Sequence, residues 1–226
     1  MQFRRALVVG LGVTLAFPQL AAAQAGRPFE NAWFWGIQAG GLTYGAPSAT
    51  SAGGNYAEAP TAGIEWLITR THAGLYASLT QAFLSNQALI LNGPAKADSG
   101  YRTVDIKNMR TVDVALMAFP HARETFHPYV GAGMTFNDIA AATAEGPFTS
   151  QDQIDFANSS IQTLKAAFTP MLIAGAQWKL PMMSAFGQVK LAGTNKNFLL
   201  YAGRPTSLSW AIGLRYNVGS SIADDK

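Results

Sequence analysis

A strict alternation of apolar side chains with small or polar ones constrains the fold of this chain more than any other feature. In the last such segment, apolar residues occupy the even positions from Leu208 to Val218, and small or polar residues occupy the odd positions between them. A period of two indicates a β-strand with two unlike faces. After residue 24, no uncharged apolar stretch reaches the length of a transmembrane helix. A soluble sandwich would bury the apolar face, whereas a membrane barrel would turn it toward lipid.

Seven further segments show the same alternation. They run from Trp33 to Leu42, Pro60 to Thr69, Ala73 to Leu84, Ile106 to Phe119, Phe126 to Asp138, Lys165 to Lys179 and Ser184 to Gly193. Segments of about ten residues suit tilted strands that cross a bilayer. The Gly40-Gly41 pair interrupts the first segment and indicates a bulge. Together the segments predict an all-β fold, a single eight-stranded, antiparallel, up-and-down transmembrane β-barrel.

The connections between these segments alternate in length. Residues 70–72, 120–125 and 180–183 are short connections, whereas Thr43 to Ala59, Ser85 to Asp105, Ile139 to Leu164 and Thr194 to Thr206 are long and mostly polar. Outer-membrane barrels combine short periplasmic turns with longer extracellular loops. The pattern therefore predicts periplasmic termini. The first and third long stretches leave room for strand extensions, and residues 152–162 for a short helix.

The first 23 residues have the pattern of a secretory signal peptide. Arg4 and Arg5 precede an apolar run from Ala6 to Phe17, and small residues lead up to Ala23. This order of a basic region, an apolar region and a small-residue cleavage site is typical of exported proteins. We expect cleavage after Ala23, which leaves residues 24–226 as the barrel domain. Export and the barrel pattern together predict the outer membrane of a Gram-negative bacterium as the location.

Aromatic residues are frequent at the predicted periplasmic strand ends. Rings prefer the headgroup level of a bilayer, where they form a girdle around a membrane barrel. The residues expected in this girdle are Trp33, Trp35, Trp66, Phe119, Phe126, Trp178 and Tyr216.

Three segments resemble the eight-stranded outer-membrane β-barrel family that includes outer-membrane protein A and outer-membrane protein W. His127 to Met134 is similar to a central strand of these barrels, Trp35 to Gly41 to their first strand, and Trp210 to Tyr216 to their last. Members usually end at an aromatic residue that acts as an assembly signal. Here a mostly polar tail from Gly219 to Lys226 follows the last strand. The resemblance implies folding by the β-barrel assembly machinery and contact with outer-membrane lipid and lipopolysaccharide.

Alternation also places charged side chains inside the barrel. Glu65, Asp113, Lys190 and Arg215 are predicted to face the lumen, together with the polar neighbours Gln38, Tyr129, Gln177 and Gln188. An eight-stranded barrel is just wide enough for side chains to fill. Because an isolated charge in low dielectric is costly, these groups are expected to pair. The pairs form either a structural plug or a gated path for protons or ions.

Composition and spacing argue against catalysis and against resident metals or cofactors. The chain has no cysteine, which excludes disulfides and thiolate chemistry. His72, His121 and His127 all fall at predicted periplasmic turns, away from the outer leaflet where lipid-modifying barrels act. The spacing of His121, Glu124 and His127 differs from the helical H-E-x-x-H zinc signature. Basic residues are scattered, so no nucleic-acid partner is predicted.

The sequence therefore predicts a non-enzymatic barrel, either structural or passively permeable to small solutes in the manner of a porin. The alternative is ligand binding or adhesion through the long outer loops, and a lipid-modifying enzyme is a distant third. Two loop stretches, Ala88 to Leu91 and Phe198 to Tyr201, are apolar. The resemblance to outer-membrane protein W suggests that they line a lateral opening for small hydrophobic molecules; the favoured interpretation is that they continue neighbouring strands.

Overall fold

The structure, a computed structural model, describes residues 29–48, 51–93, 100–120, 125–180, 183–201 and 204–220. Its strands are β1 (Ala32–Ser48), β2 (Ser51–Thr69), β3 (Ala73–Leu91), β4 (Tyr101–Ala118), β5 (Phe126–Ala144), β6 (Ala166–Lys179), β7 (Ser184–Gly193) and β8 (Thr206–Ser220). A helix, α1 (Gln151–Leu164), connects β5 to β6. Within these ranges, no helix is long and apolar enough to cross a bilayer. The predicted signal peptide, residues 1–23, lies outside the described residues.

The eight strands close into a barrel. Each strand pairs antiparallel with the next, and β8 pairs with β1. This confirms the predicted eight-stranded, up-and-down, antiparallel fold. We call the end with the connections at 70–72, 119–125 and 180–183 the turn end, and the end with α1 the loop end. Both the beginning of β1 and the end of β8 lie at the turn end.

The outer surface of the barrel is apolar between these two ends. Ile37, Leu116 and Ile212 are 62%, 72% and 61% exposed, and they represent a larger group of outward leucine, valine, isoleucine and tryptophan side chains. Such a continuous surface is unfavourable in water and favourable in lipid. The alternation predicted from sequence is therefore present with its apolar face outward, as in a membrane barrel rather than a soluble sandwich.

Several strands extend farther toward the loop end than predicted. The expected long loop from Thr43 to Ala59 is instead a hairpin, since Thr43 pairs with Glu58 and Ser48 with Ser51. The stretch from Ser85 to Asp105 likewise contains the end of β3 and the start of β4. The predicted alternation of connection lengths is thus wrong at β1–β2, where only residues 49–50 separate the strands. Polar residues here mark strands beyond the lipid rather than loops.

A local irregularity reverses the faces of β4 and β5 near the loop end. Asn108 has a positive φ of 57°. Between Asn108 and the turn end, odd-numbered β4 residues point inward, as Asp113 does. Between Asn108 and the loop end, even-numbered residues such as Arg102 and Ile106 point inward instead. Asparagine tolerates this left-handed conformation better than most residues. The bulge at this position brings Arg102 into the interior, a placement that simple alternation does not predict.

Three prolines mark the places where pairing between neighbouring strands ends. The β2–β3 ladder stops at Thr61 and Ala82, next to Pro60. The β6–β7 ladder stops at Met171, next to Pro170, and the β4–β5 ladder stops at Val130, two residues after Pro128. Proline has no N–H to donate, so it ends a ladder on the side that its nitrogen faces.

The aromatic girdle is present at the turn end, with one exception. Trp35 contacts Trp66 with ring centroids 5.2 Å apart, and Phe126 contacts Trp178 at 4.4 Å. Trp33, Trp35 and Trp178 are exposed on the outer surface. Phe119, however, is fully buried, so its assignment to the girdle is wrong. It lies just past the end of β4 and turns into the lumen, where its ring meets Tyr129.

Candidate functional site: the filled lumen

A fully buried ion pair crosses the lumen near the turn end. Arg215 on β8 donates from Nε to Glu65 Oε1 on β2 at 2.5 Å, and from Nη1 to Gln177 Oε1 on β6 at 2.8 Å. Its guanidinium also lies over the Phe186 ring, 4.0 Å from the centroid. Buried cations require this degree of compensation because desolvation is costly. The three side chains meet from strands on different sides of the barrel, and so they obstruct its interior.

A layer of amide and hydroxyl groups lies next to this pair. Tyr129 Oη donates to Gln188 Oε1 at 2.9 Å, and Gln188 Nε2 donates to Gln38 Oε1 and to Tyr76 Oη, both at 3.0 Å. Gln38 Nε2 in turn donates to Thr80 Oγ1 at 3.1 Å. The structure therefore brings together the four polar neighbours predicted from sequence: three form this layer, and Gln177 binds Arg215.

The other two charges predicted to face the lumen form a second ion pair on the loop-end side of that layer. Lys190 Nζ is 2.6 Å from Asp113 Oδ2, which also accepts from Ser78 Oγ at 2.9 Å. A cavity of about 40 Å³ borders this pair, and both polar side chains, such as Thr80 and Asn137, and apolar ones, such as Leu42 and Met109, line it. It has room for roughly three water molecules. All four charged residues predicted to face the lumen are therefore paired within it.

Aromatic side chains close the turn end of the lumen. Phe29, which precedes β1, stacks on His127 at 3.9 Å and contacts Phe119 edge-on at 4.9 Å. Thr69 Oγ1 donates to the Phe29 carbonyl at 2.5 Å and accepts from Ala32 N at 3.1 Å. These bonds hold a turn that folds the chain back under the barrel. Sequence reasoning missed Phe29, because it lies outside any alternating segment.

An apolar cap closes the loop end. Inward residues of β1 to β5 pack here against one face of α1 and the segment Phe198–Leu200. The Leu199 N–H donates to the Leu164 carbonyl at 2.9 Å, which joins this segment to the end of the helix. Ala88 to Leu91 continues β3, as favoured from sequence, but Phe198 to Leu200 forms a buried turn rather than a strand.

Arg102 holds the chain that leads into α1. Its Nε donates to Asn92 Oδ1 at 2.8 Å, its Nη1 donates to the Glu145 carbonyl, and both terminal nitrogens reach the Pro147 carbonyl at 3.2 Å. The guanidinium also lies 4.0 Å over the Phe148 ring. The Ser150 side chain then caps α1 by accepting from Gln153 N. Arg102 was not among the predicted site residues, because the bulge at Asn108 reverses its face.

The histidines do not assemble a site in the described residues. His127 is buried against Phe29, and His72 lies in the turn between β2 and β3. His121 and Glu124, the other two members of the H-x-x-E-x-x-H spacing, lie outside the described residues. Elsewhere in the described ranges, no three His, Cys, Asp or Glu side chains are grouped so that they could hold a metal ion.

No protein-family model matches the sequence, and no curated protein is significantly similar to it. The fold is similar to Neisserial surface protein A, with a TM-score of 0.47 and 12% identity over 80% of this chain and 96% of that one. OprG of Pseudomonas aeruginosa has a TM-score of 0.43 and 11% identity over 84% of this chain and 98% of that one. Ail of Yersinia pestis, solved with the heparin analogue sucrose octasulfate, has a TM-score of 0.41 and 11% identity over 82% of this chain and 99% of that one. The closed, eight-stranded, up-and-down barrel of this chain confirms the fold that the resemblance implies.

Proposed function

We propose that this protein is a non-enzymatic structural barrel of the bacterial outer membrane whose lumen is closed to solutes. The observation that carries the proposal is the complete burial of Arg215, which crosses the lumen near the turn end and is bonded to Glu65 and Gln177. Aromatic residues close one end and the apolar cap closes the other. The chamber beside Lys190 and Asp113, between these layers, has room for a few waters, which supports a plug over a pore.

The membrane location is supported by the outer surface of the barrel. Outward apolar side chains on β8 run from Leu208 to Val218, ten residues apart. At about 3.3 Å per residue and a strand tilt near 40°, this run is roughly 25 Å tall. That height matches the apolar band of outer-membrane barrels. Residues 1–23 would direct export, the loop end would face the cell exterior, and lipopolysaccharide and the assembly machinery would be partners.

A liposome-swelling assay tests whether the lumen is closed. The wild-type protein is expected to pass neither small sugars nor amino acids, because the Arg215 layer blocks the interior. Lys190→Met leaves the Arg215 layer and both closed ends in place, so planar-bilayer conductance is expected to stay as low as in the wild type. Swelling with the wild-type protein would contradict a closed lumen. A loss of wild-type current in Lys190→Met would show a conducting path instead.

Ligand binding at the cell surface is the second candidate function. Strands β1 to β5 continue past the apolar band, and α1 covers their inner face. Rigid strands that project beyond the membrane present a larger and better ordered surface than flexible loops. This platform, rather than the lumen, is where a distinctive activity would lie.

A further inference from the structure

The loop end of the barrel contains strand edges that no neighbouring strand pairs. Pairing between β2 and β3 ends at Thr61 and Ala82, yet β2 begins at Ser51 and β3 continues to Leu91. An exposed edge presents a row of backbone donors and acceptors to any other extended chain. Proteins normally blunt such edges with proline or charge, or cover them. The edges at this end, on β1, β2, β3, β5 and β6, differ in how they are protected; on β6, Pro170 lacks the N–H that would face β7.

Three further edges are protected in the described residues. On β2, Pro60 lacks the N–H that would face β3, and Glu58 adds a charge. On β1, the Tyr201 carbonyl and Arg204 side chain lie so close to Gly45 that a Cβ there would meet them at 2.8 and 3.0 Å. On β5, Ile139 N donates to the Lys165 carbonyl at 2.9 Å, which extends the pairing with the segment after α1 by one residue. The β2 and β1 edges are therefore blocked or covered, and the β5 edge is paired at its start.

The β3 edge has none of these devices. The nine residues from Phe83 to Leu91 include no charge and no proline. Ser85, Gln87, Leu89 and Leu91 are all exposed on the outer face. No described residue of β2 before Thr61 pairs with this edge, and the β1–β2 hairpin contacts the inner face of β3, where Asn86 Nδ2 donates to Tyr44 Oη at 3.2 Å. A long, uncharged, exposed edge of this kind favours pairing with another strand.

Hydrogen bonds at both ends of β3 show which residues face the open edge. Ala73 accepts from Arg70 N on the β2 side, whereas Asn92 N donates to the Gly100 carbonyl on the β4 side. Because backbone groups alternate sides along a strand, the odd residues from 83 to 91 face the edge. Gln87 agrees with this assignment: its N–H is bonded to the Asn86 side chain at 2.8 Å rather than to β4.

We infer that this β3 edge is a homophilic docking strand that pairs antiparallel with β3 of a second copy of the chain. A two-fold axis at Gln87 places Gln87 opposite its own copy. The same register then matches Phe83 with Leu91 and Leu84 with Ile90, so apolar residues meet at both ends of the ladder. Antiparallel strands with such matched cross-strand pairs are stabilised. The edge is thus complementary to itself in polarity and in backbone direction, and the Gln87 side chain at its centre is bonded to the Asp105 and Glu145 carboxylates.

Antiparallel pairing sets the arrangement of the two barrels. Both β3 strands run toward the loop end, so a two-fold antiparallel pair joins the loop ends of barrels in apposed membranes. Nine residues at about 3.3 Å each give an overlap of roughly 30 Å. This inference rests on the proposed outward orientation of the loop end and gives the surface platform a partner, a second copy on another membrane.

Because the chain has no cysteine, disulfide trapping provides a direct test. Gln87→Cys places the two sulfur-bearing residues in a hydrogen-bonded pair, with Cα atoms about 5.5 Å apart, which a disulfide can bridge. Thr143→Cys is the matched control: it is exposed in the same row, two strands farther from the edge. Purified variants are placed in two vesicle populations with different labels, mixed and oxidised.

The expected result is a cross-linked dimer between the two populations for Gln87→Cys and at least tenfold less for Thr143→Cys. Gln87→Lys puts like charges opposite each other. Vesicles that carry this variant are expected to aggregate at least tenfold less than vesicles that carry the wild-type protein, and vesicles with Thr143→Lys are expected to aggregate as the wild type does. Equal cross-linking of both cysteine variants, or cross-linking only within one vesicle population, would overturn the inference. Heat-dependent gel migration of each variant reports the barrel independently, so a failure of docking is distinguishable from a failure to form the membrane protein.

Discussion

A single buried arginine organises the centre of this barrel. Arg215 has no solvent exposure, and its charge is balanced by one carboxylate, that of Glu65. Tyr129 and Phe186 add ring faces on which the guanidinium rests, 5.3 and 4.0 Å from their centroids. Such a pair gains little over a well-packed apolar core, but breaking it leaves one charge buried without its partner. The stability of the lumen therefore depends on keeping both members or neither.

We predict that Glu65→Gln lowers the free energy of unfolding by about 3 to 5 kcal/mol, the cost of stranding a buried charge. The double variant Glu65→Gln with Arg215→Met, which removes both charges, is expected to lose less than the single variant. Urea titrations of the barrel refolded into lipid vesicles, followed by tryptophan fluorescence, measure both effects. Glu58→Gln is the control, since an exposed substitution changes stability by about 0.5 kcal/mol or less. A double variant less stable than Glu65→Gln would contradict this account.

At the scale of strands, prolines decide where the wall of the barrel opens. The β2–β3 ladder ends at the pair of Thr61 and Ala82, and the next pair would join Pro60 to Phe83. Proline cannot donate there, so the ladder ends although both strands continue. The same device ends the β6–β7 ladder at Pro170. The point at which two strands separate is thus determined by a proline, not by a change from apolar to polar side chains.

Replacing Pro60 with valine is expected to extend the β2–β3 ladder by one hydrogen-bonded pair. The new amide at position 60 would donate to the Phe83 carbonyl and be protected from hydrogen exchange, and exchange of the Phe83 amide would slow relative to the wild type. Mass spectrometry of peptides that cover both strands measures the change. Thr61→Val, next to it, adds no donor and serves as the control. Unchanged exchange in Pro60→Val would mean that something other than the missing N–H separates the strands.

The sequence predicts which side chains face inward well in the part of each strand where lipid imposes alternation. It predicts strand ends and faces poorly outside that part. The faces of Glu65, Asp113, Lys190 and Arg215 follow from a period of two, because one side must be apolar. Which acid pairs with which base does not follow, because that depends on register between strands distant in sequence. Strand ends were missed from Thr43 to Ala59, where both faces leave the membrane. The bulge at Asn108 reversed a face that no periodic rule could recover.

At the scale of the whole molecule, closure of the barrel explains why the fold is expected to resist unfolding in lipid and detergent. The pairing of β1 with β8 leaves no open edge in the part of the wall that faces lipid. Backbone groups there pair between neighbouring strands, which a bilayer requires because it supplies no partners of its own. Opening the barrel breaks a complete ladder at once, so unfolding has no partial route through the membrane. A closed barrel therefore responds differently to detergent than an open sandwich with two free edges.

We predict that the protein migrates on a detergent gel at two positions, faster without heating and slower after boiling. The compact barrel binds less dodecyl sulfate than the unfolded chain, so the unheated form has a smaller apparent size. The faster band is expected only after refolding into lipid or detergent micelles. Bilayers with an apolar thickness near 25 Å are expected to give the largest fraction of it. Unheated and boiled samples are compared across vesicles of increasing chain length, with urea-denatured protein as the reference. A single band at the unfolded position in every lipid would contradict a transmembrane barrel.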